Sequence, residues 1–213
     1  MSQRQKLFIF IAIIFITIFS FNMVISASTS DNIIEGDGTH HNPYIINDYD
    51  DLHNLQKNVN SGESYSGKYF LQTADIDLNN KSWISIGNSA DNCFSGIYNG
   101  NGYKINNLYI KNNKCSGLFG YLKGQVVNLC ISSGNIYGEA CAAIAYKSVG
   151  SNAVIANCIN KANLNGKYVG GIAYNFYDGV IANCINLGTL ECENPYAITA
   201  VNCDVKIYSC YST

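Results

Sequence analysis

The sequence predicts an all-β protein, a right-handed parallel β-helix (solenoid) with a short N-terminal helix in a capping region. Two repeated elements carry this prediction. The heptapeptide VIANCIN occupies 154–160 and again 180–186, 26 residues later. The second element reads GLFGY at 117–121, AAIAY at 142–146 and GGIAY at 170–174. Units of this length are too short to bury their own apolar face, so they must stack on neighbours. Parallel crossovers are right-handed.

Residues 1–28 have the three parts of a secretory signal peptide. Arg4 and Lys6 form the positively charged start, an apolar run covers 7–19, and small residues at 26–28 offer a cleavage site. The alternative is an uncleaved membrane anchor, because an apolar stretch of about 20 residues can cross a bilayer. Both alternatives place the rest of the chain outside the cytoplasm. We therefore expect a secreted, extracellular or cell-surface protein.

The N-terminal cap and the first solenoid strands are expected over 29–116. A helix is predicted at 49–60, because Leu52, Leu55 and Val59 share one helical face. Acidic residues stand in its first turn, where they suit the helix dipole, and a Ser-Gly pair ends it.

Two strand-forming segments follow the helix, over 69–78 and 94–110. The second contains the tetrapeptide NGNG at 99–102. On local rules this tetrapeptide predicts a β-hairpin turn. A solenoid corner needs the same residues with positive φ, so both alternatives stay open at this point.

Repeats of about 26 residues are expected over 117–213. If each repeat forms one turn, equivalent side chains lie above one another at the ~4.8 Å strand spacing. The expected ladders are the core series Phe119, Ile144, Ile172 and Ile198, the tyrosines Tyr121, Tyr146 and Tyr174, and the asparagines Asn128, Asn157 and Asn183.

All nine cysteines lie after the leader, where disulfides can form. Cys158, Cys184 and Cys210 are spaced by 26 residues. Stacked residues point the same way, so their Cβ atoms stay ~4.8 Å apart, whereas a relaxed disulfide needs ~3.8 Å. We therefore predict a buried column of free thiols. Cys192 and Cys203 are the expected pair if any disulfide forms.

Sparse charge argues against a nucleic-acid partner. Charged residues make up 13% of the chain, no basic run is present, and Arg4 is the only arginine. Nucleic-acid-binding proteins neutralise phosphates with clustered Lys and Arg. This class of function is therefore excluded.

The order of the sequence elements resembles a GLUG-motif protein. The resemblance is carried by GDGTHHNPYIIN at 36–47, FSGIYNGNGYKINNLYI at 94–110 and GLFGYL at 117–122, and it extends over 33–213. Members of this family occur in bacterial surface and secreted proteins, including the stalk of some immunoglobulin A1 proteases. The resemblance implies an extracellular, adhesive or substrate-presenting scaffold, with no catalytic residues to carry over.

Asp75 and Asp77 form a candidate catalytic or Ca²⁺-binding pair. They are two residues apart in a predicted strand and so point to the same side. Paired carboxylates hydrolyse glycosides or bind Ca²⁺. The family resemblance implies a structural role for this segment instead, and the mature chain has no arginine to neutralise an acidic sugar. We expect neither activity from the pair.

His40 and His41 lie near Glu35 and Asp37 in sequence, and with His53 they form a candidate metal site. Adjacent histidines in an extended chain point in opposite directions. We therefore interpret them as ordinary loop residues. No catalytic, cofactor-binding or metal-binding residue is assigned from the sequence, and no cofactor is expected.

Two functions are compatible with these observations. The first is a non-catalytic extracellular or cell-surface repeat scaffold, adhesive or ligand-contacting, whose partner is a glycan or a host or matrix protein. Its tyrosines either contact sugars or only pack between repeats. The second is a small secreted polysaccharide-acting enzyme that uses Asp75 and Asp77. We also expect end-to-end association through an uncapped C-terminus, and membrane contact only if the leader is not cleaved.

Overall fold

The computed structural model describes residues 35–111, 116–203 and 205–212. The predicted signal peptide lies outside these residues. Helix α1 spans Tyr49–Asn60. The strands are β1 Tyr44–Ile46, β2 Tyr69–Gln72, β3 Ile76–Asp77, β4 Ile97–Asn99, β5 Lys104–Asn106, β6 Leu108–Lys111, β7 Phe119–Leu122, β8 Gln125–Val127, β9 Cys130–Ile131, β10 Gly134–Ala142, β11 Ala145–Ser148, β12 Val154–Ala156, β13 Ile159–Asn160, β14 Asn163–Gly170, β15 Ala173–Tyr177, β16 Val180–Ala182, β17 Ile185–Asn186, β18 Leu190–Glu191, β19 Asn194–Tyr196, β20 Thr199–Cys203, β21 Lys206–Tyr208 and β22 Tyr211–Ser212.

The strands stack as a parallel β-solenoid of about six turns, which confirms the predicted fold class. Successive turns add their strands to four sheets. Sheet 1 has the order β1-β2-β4-β8-β12-β16-β21, and sheet 2 has the order β3-β5-β9-β13-β17-β22. Sheet 3 has the order β6-β10-β14-β18, with β19 also paired to β14, and sheet 4 has the order β7-β11-β15-β20. The apolar core lies between these sheets.

Helix α1 has the predicted bounds. The Asp48 side chain accepts hydrogen bonds from the backbone N–H groups of Asp50 and Asp51, at 2.9 and 3.0 Å, which satisfies donors that have no partner inside the helix. The predicted apolar face is fully buried. At the other end, the Asn60 side chain donates to the backbone carbonyl of Ser85 at 3.1 Å. The helix is therefore held by both packing and side-chain bonds.

The two long predicted strands are each broken into short ones. The segment 69–78 contains β2 and β3, and the segment 94–110 contains β4, β5 and β6. β4 belongs to sheet 1 and β5 to sheet 2, so the NGNG tetrapeptide between them is a solenoid corner and the hairpin alternative is wrong. Asn101 and Gly102 have φ values of 54° and 80°, as such a corner requires.

The VIANCIN repeat stacks as predicted. Ile155 pairs with Ile181 in sheet 1, and Ile159 pairs with Ile185 in sheet 2. The third, weaker copy continues the same register, because Ile181 pairs with Ile207. Identical corners in these turns keep identical residues above one another.

The predicted position of Phe119 in the core ladder is wrong by one residue. Phe119 pairs with Ala145, so Leu118 is the residue beside Ile144. The rest of the ladder is confirmed, since Ile144 N–H donates to the Ile172 carbonyl at 3.0 Å and Ile172 N–H donates to the Ile198 carbonyl at 2.9 Å. A sequence alignment of GLFGY with AAIAY assumes that both turns have corners of equal length. The turn that contains AAIAY has one extra residue, and this residue shifts the pairing by one position.

The same shift of one residue changes the predicted pairing in the tyrosine ladder. Tyr121 pairs with Lys147, and Tyr146 therefore lies beside Gly120. Tyr146 and Tyr174 are in register, because Ala145 pairs with Ala173 and Lys147 with Asn175. The predicted tyrosine ladder is thus correct for its last two members.

The predicted column of free thiols is confirmed, and its burial is confirmed for Cys158 and Cys184. Cys158 and Cys184 are fully buried, Cys210 is half-buried, and all three carry free thiols. Each thiol donates to the carbonyl oxygen two residues earlier, at 3.3 Å. Burial raises the pKa of the Cys158 thiol well above its usual value. Cys192 also carries a free thiol, and the side chain of Cys203 lies outside the described part of the structure.

The predicted asparagine ladder forms the corner between sheets 1 and 2. Nδ2 of Asn128 donates to Oδ1 of Asn99 at 3.0 Å, Asn157 donates to Asn128 at 2.9 Å, and Asn183 donates to Asn157 at 3.2 Å. Asn128, Asn157 and Asn183 have φ values of 54°, 55° and 52°. Asparagine tolerates this left-handed backbone better than most residues, so the ladder serves both the corner and the stack.

Candidate ligand-binding surface

A tyrosine-rich surface covers the outer side of sheets 3 and 4. Tyr109 of β6 and Tyr137 of β10 alternate with buried residues and so point outward. Tyr168 of β14 is 39% exposed. We call this surface the tyrosine face. Its tyrosines are Tyr109, Tyr121, Tyr137, Tyr146, Tyr168, Tyr174 and Tyr196.

Sheet 4 presents two successive side chains outward on one strand. In β11, Tyr146 and Lys147 lie between the buried residues Ala145 and Ser148. A regular strand alternates its side chains between the two sides, so this arrangement is a local departure from it. Tyr121 on the neighbouring strand therefore reaches Tyr146 although the two residues are out of register.

Four rings of the tyrosine face form a continuous series of contacts. The ring centroids of Tyr121 and Tyr146 are 5.9 Å apart, those of Tyr146 and Tyr174 are 5.3 Å apart, and those of Tyr174 and Tyr168 are 6.4 Å apart. Tyr146 and Tyr174 are stacked with an angle of 22° between their planes. Each of these two rings covers one face of the other, so a ligand cannot stack on that pair of faces.

The hydroxyl group of Tyr174 is a hydrogen-bond donor at neutral pH. Burial raises the pKa of Tyr174, and the neighbouring Tyr168, Tyr177 and Glu139 raise it further. An uncharged phenol both donates and accepts hydrogen bonds. The surface therefore combines apolar ring edges with neutral polar groups.

A column of charged residues borders the tyrosines on sheet 3. Glu139 of β10 lies beside Lys167 of β14, which in turn lies beside Glu193, as the pairings on either side show. Lys167 Nζ lies 5.1 Å from the centroid of the Tyr168 ring. The hydrogen bond with Tyr168 raises the pKa of Lys167, and the two carboxylates raise it further. These neighbours thus favour the charged form of Lys167, which is itself exposed.

Further outward positions of sheet 3 are occupied by Lys111, which pairs with Tyr137, and by asparagines. Asn163 donates to Oδ1 of Asn135 at 3.4 Å. Asn165 donates to Oε2 of Glu191 at 2.6 Å. These amides add neutral donors and acceptors beside the rings of Tyr109 and Tyr137.

Asp75 and Asp77 point outward on the same side of the chain and are both exposed, but each is used in a structural contact. Asp75 Oδ1 accepts the backbone N–H of Lys104 at 2.9 Å. Asp77 Oδ1 accepts from Asn79 N–H at 2.7 Å and from Asn107 Nδ2 at 2.8 Å. The bonds from Asn107 and Asn79 lower the pKa of Asp77, whereas the proton donor of a glycosidase needs a raised pKa.

The candidate histidines lie in two separate places. His40 and His41 contact each other with ring centroids 5.2 Å apart, in a bend of the chain. The expectation that they point in opposite directions is therefore wrong, because it assumed an extended segment. His53 lies on α1 and stacks on Tyr49 at 5.3 Å. Desolvation by burial lowers the pKa of His53, and Lys57 lowers it further.

Titratable side chains do not converge elsewhere in the described ranges. Within residues 35–111, 116–203 and 205–212, no three His, Cys, Asp or Glu side chains are placed to hold a metal ion. A groove of about 520 Å³ near the last turn is lined by residues without an ionisable side chain: Leu187, Gly188, Thr189, Leu190, Pro195, Ala197 and Ser212. Among the helices described, none has the length and apolar character to span a bilayer.

Sequence reasoning missed most of the tyrosine face. Tyr137 pairs with Asn165, and Tyr168 pairs with Asn194, so neither tyrosine recurs at the repeat spacing. The charged column of Glu139, Lys167 and Glu193 also has unequal spacings along the chain. A search for equal spacing finds ladders of identical residues, and it overlooks a surface composed of different ones.

Comparison with known proteins finds two relatives that are much longer than this chain. No family model matches the chain. Over 153 residues, 67% of the chain, it is 33% identical to a protein provisionally named a Gly-rich membrane protein from Evansella cellulosilytica. Over 155 residues, 66% of the chain, it is 32% identical to halomucin from Haloquadratum walsbyi. The chain spans 17% and 2% of the lengths of these curated relatives.

A solved structure shares the fold. It is a crystal structure of a protein from Bacteroides ovatus provisionally named an immunoglobulin A1 protease. The TM-score is 0.66 at 21% sequence identity, and the match covers 83% of this chain and 58% of that one. The likeness supports the β-solenoid architecture.

Proposed function

We propose that this protein is a non-catalytic repeat scaffold of the cell surface or extracellular space, which contacts glycans through the tyrosine face. The observation that carries the proposal is the continuous series of tyrosine rings on an open outer surface. Tyrosines supply large contact areas with a polar tip, and they are enriched at binding surfaces.

Three observations support the proposed location. The sequence at 1–28 has the pattern of a secretory signal. The chain is similar to parts of a protein named as a membrane protein and of one named halomucin. Its solenoid is shared with a protein named as an immunoglobulin A1 protease, in keeping with the GLUG-type resemblance of the sequence. Secretion and membership of the GLUG-motif family are parts of this proposal.

The contacts of Asp75 and Asp77 argue against the enzymatic alternative. Both carboxylates accept backbone hydrogen bonds within their own part of the solenoid. A catalytic pair needs one carboxyl group that stays protonated, and the hydrogen bonds at Asp77 favour its charged form. The tyrosine face, by contrast, needs no catalytic group to bind a ligand.

The proposal is tested by binding of the purified protein to a glycan array and to a panel of matrix proteins. We expect binding to glycans, and about tenfold weaker binding of the Tyr168→Ala variant, the loss that corresponds to one good contact. Tyr103→Ala is the matched control, because Tyr103 is similarly exposed, at 36% against 39%, on a corner away from this face. An absence of glycan binding, or equal losses in both variants, would overturn the proposal.

The role of the carboxylates has its own test. In an Asp75→Asn/Asp77→Asn double variant we expect glycan binding equal to that of the unmodified protein. Turnover of a polysaccharide by the unmodified protein, lost in the double variant, would contradict the scaffold function. A rise in melting temperature with Ca²⁺ that disappears in the same variant would show that the pair is a cation site.

A further inference from the structure

We propose that the outer side of sheet 1 is an interface at which a second copy of this chain packs, with the two solenoid axes parallel. This surface is separate from the tyrosine face, which lies on sheets 3 and 4. In β2, β4, β8, β12 and β16 its residues alternate with buried core residues and so point outward. They form a valine row and an alanine row along the stack, which together we call the sheet 1 face. The valine row is Tyr69, Ile97, Gln125, Val154, Val180 and Lys206, and the alanine row is Leu71, Asn99, Val127, Ala156, Ala182 and Tyr208.

The sheet 1 face is apolar and nearly free of charge. Among the twelve residues of its two rows, only Lys206 is charged, and the members on β2 to β16 are half-buried. Sheet 3, by contrast, has Lys111, Glu139, Lys167 and Glu191 at outward positions. A contiguous apolar patch on the surface of a protein marks an interaction site.

The two VIANCIN turns have the same outward residues on sheet 1. Val154 pairs with Val180 and Ala156 with Ala182. On sheet 3 the same two turns differ at an outward position, where Asn165 pairs with Glu191. The core demands inward residues of a fixed size, but it places no such demand on outward ones. The identity of the outward residues on sheet 1 therefore indicates a requirement on that side of the sheet.

The chemistry of the sheet 1 face favours an apolar β-sheet as its partner. A glycan needs hydrogen-bonding groups, and the two rows offer only the amides of Gln125 and Asn99, of which Asn99 Oδ1 already accepts from Asn128 and Asn101. An anionic membrane is recognised by clustered lysines and arginines, which the two rows lack. Packed sheets lie ~10 Å apart, and their side chains repeat at ~4.8 Å along the stack. A second copy presents the same repeat.

The shapes of the two rows decide the orientation of the second copy. A two-fold axis parallel to the solenoid axis turns the alanine row of one copy towards the valine row of the other. Each of the small residues Ala156 and Ala182 then faces a valine of the same turn, and alternation of large and small residues fills a packed layer. Antiparallel solenoids would instead place valine on valine and alanine on alanine.

The borders of the face suit the same orientation. Exposed Lys123 and Asp178 lie at the corner before β8 and before β16, whereas Asn128 and Asn183 lie at the corner after these strands. The parallel two-fold axis brings each charged corner to the asparagine ladder of the second copy. Like charges therefore do not meet, and a repulsion that would oppose association is absent from these borders.

The area of the face predicts a weak dimer. Sheet 1 has seven strands, which at ~4.8 Å per strand and a width of about 15 Å including both borders gives about 500 Å² per copy. The total of about 1,000 Å² lies at the lower limit of specific interfaces, where association is transient. We therefore expect a dissociation constant of about 100 µM.

Sedimentation equilibrium of the purified protein from about 10 µM to about 1 mM tests the proposal. A thiol reductant is present, because Cys130 and Cys210 are partly exposed. We expect monomers at the lowest concentration and dimers at the highest, and at least about tenfold weaker association of Ala156→Lys/Ala182→Lys. Asn135→Lys/Asn163→Lys is the matched control, because these residues also pair on adjacent turns, on sheet 3. Monomers at every concentration, or equal losses in both variants, would overturn the proposal.

A second variant distinguishes a fitted interface from a surface that is merely apolar, and circular dichroism verifies that each variant is folded. Ala156→Leu/Ala182→Leu enlarges the small residues that face the valine row, so we expect association about tenfold weaker than that of the unmodified protein. Tighter association of this variant would contradict the fitted interface. Oligomers larger than a dimer would also contradict it, because a two-fold interface is closed. Binding to phosphatidylcholine vesicles that is lost in the lysine variant would show that the face contacts lipid instead of a second copy.

Discussion

The N-terminal region and the VIANCIN turns fill the same solenoid core with different side chains. In the N-terminal region, rings contact rings: the centroids of Phe70 and Phe94 are 5.7 Å apart, and those of Phe94 and Phe119 are 5.3 Å apart. In the VIANCIN turns the core consists mainly of aliphatic and cysteine columns such as Ile155 and Ile181, together with the buried ring of Phe176. Large rings fill irregular spaces, whereas small identical residues suit turns of identical shape.

The two regions also differ at their corners. The VIANCIN turns share one corner geometry, with a left-handed asparagine at Asn157 and Asn183. The N-terminal region has corners of unequal length and places a helix beside its strands. A repeated sequence and a repeated corner therefore occur together, whereas variable corners require individual packing.

The largest expected effect is a cavity in the aromatic part of the core. Phe119 is fully buried and contacts Phe94 and Tyr98. We expect Phe119→Ala to lower the free energy of unfolding by about 3–5 kcal/mol, and Ile155→Val in the repeats by about 0.5–1.5 kcal/mol. Urea unfolding measures both values. Equal losses would show that the two regions tolerate cavities alike.

The next effect concerns buried amides in the repeats. Asn160 donates to Asn186 at 2.7 Å and accepts the N–H of Ala162 at 2.9 Å. Asn160→Val leaves these groups without a partner, so we expect a loss of about 2–3 kcal/mol in the free energy of unfolding.

Asn175 is the matched control for this experiment. Its Oδ1 atom is buried and accepts no hydrogen bond in the described part of the chain. Asn175→Val therefore removes an unsatisfied acceptor, and we expect unchanged or slightly higher stability in the same urea experiment. A loss as large as that of Asn160→Val would contradict the proposed importance of the amide ladder.

A smaller effect is expected at the repeated corner. Asn157 has φ 55°, and this backbone costs most residues about 1–2 kcal/mol. Asn157→Ala should lose about this amount in thermal or urea unfolding. Asn157→Gly should lose less, because glycine adopts positive φ freely. If the two variants are equally unstable, the side-chain ladder and not the backbone makes asparagine necessary.

The smallest expected effect is a pH dependence in the N-terminal region. The pKa of Asp77 lies below its usual value because Asn107 and Asn79 donate hydrogen bonds to it. Its contribution to stability is fully present above the pKa of the unfolded chain, about 3.9. That contribution is lost as the pH falls through the lower pKa of the folded protein. Melting temperatures between pH 6 and pH 2.5 should fall less steeply for Asp77→Asn, whereas Asp91→Asn should follow the unmodified protein.

The fold was predictable because the sequence feature that indicates it is the regular spacing of the repeats. The recurrence of Ile155 and Cys158 at Ile181 and Cys184 requires neither knowledge of contacts nor a partner chain, and short β-rich units can bury their apolar side only by stacking. Helix α1 was predictable for a similar reason, because its apolar face and its cap are local in sequence.

The candidate surface was less predictable. Tyr168 contacts Tyr174 across two sheets, and the spacing of six residues between them has no meaning within a single strand or helix. Lys167 lies between Glu139 and Glu193 only because β10, β14 and β19 are stacked with particular offsets. Such neighbours are set by the lengths of several corners together.

The sequence by itself determined the stacked repeat, the helix and the ladders of identical residues, because each depends on periodicity or on local capping. The tertiary structure decided the register of Phe119 and the broken strands. It also decided that the NGNG tetrapeptide forms a corner and that tyrosines and charged residues lie together on one face. The physical reason is that a single extra residue in a corner shifts the pairing of the strand that follows by one residue, and no local preference of the chain records that shift.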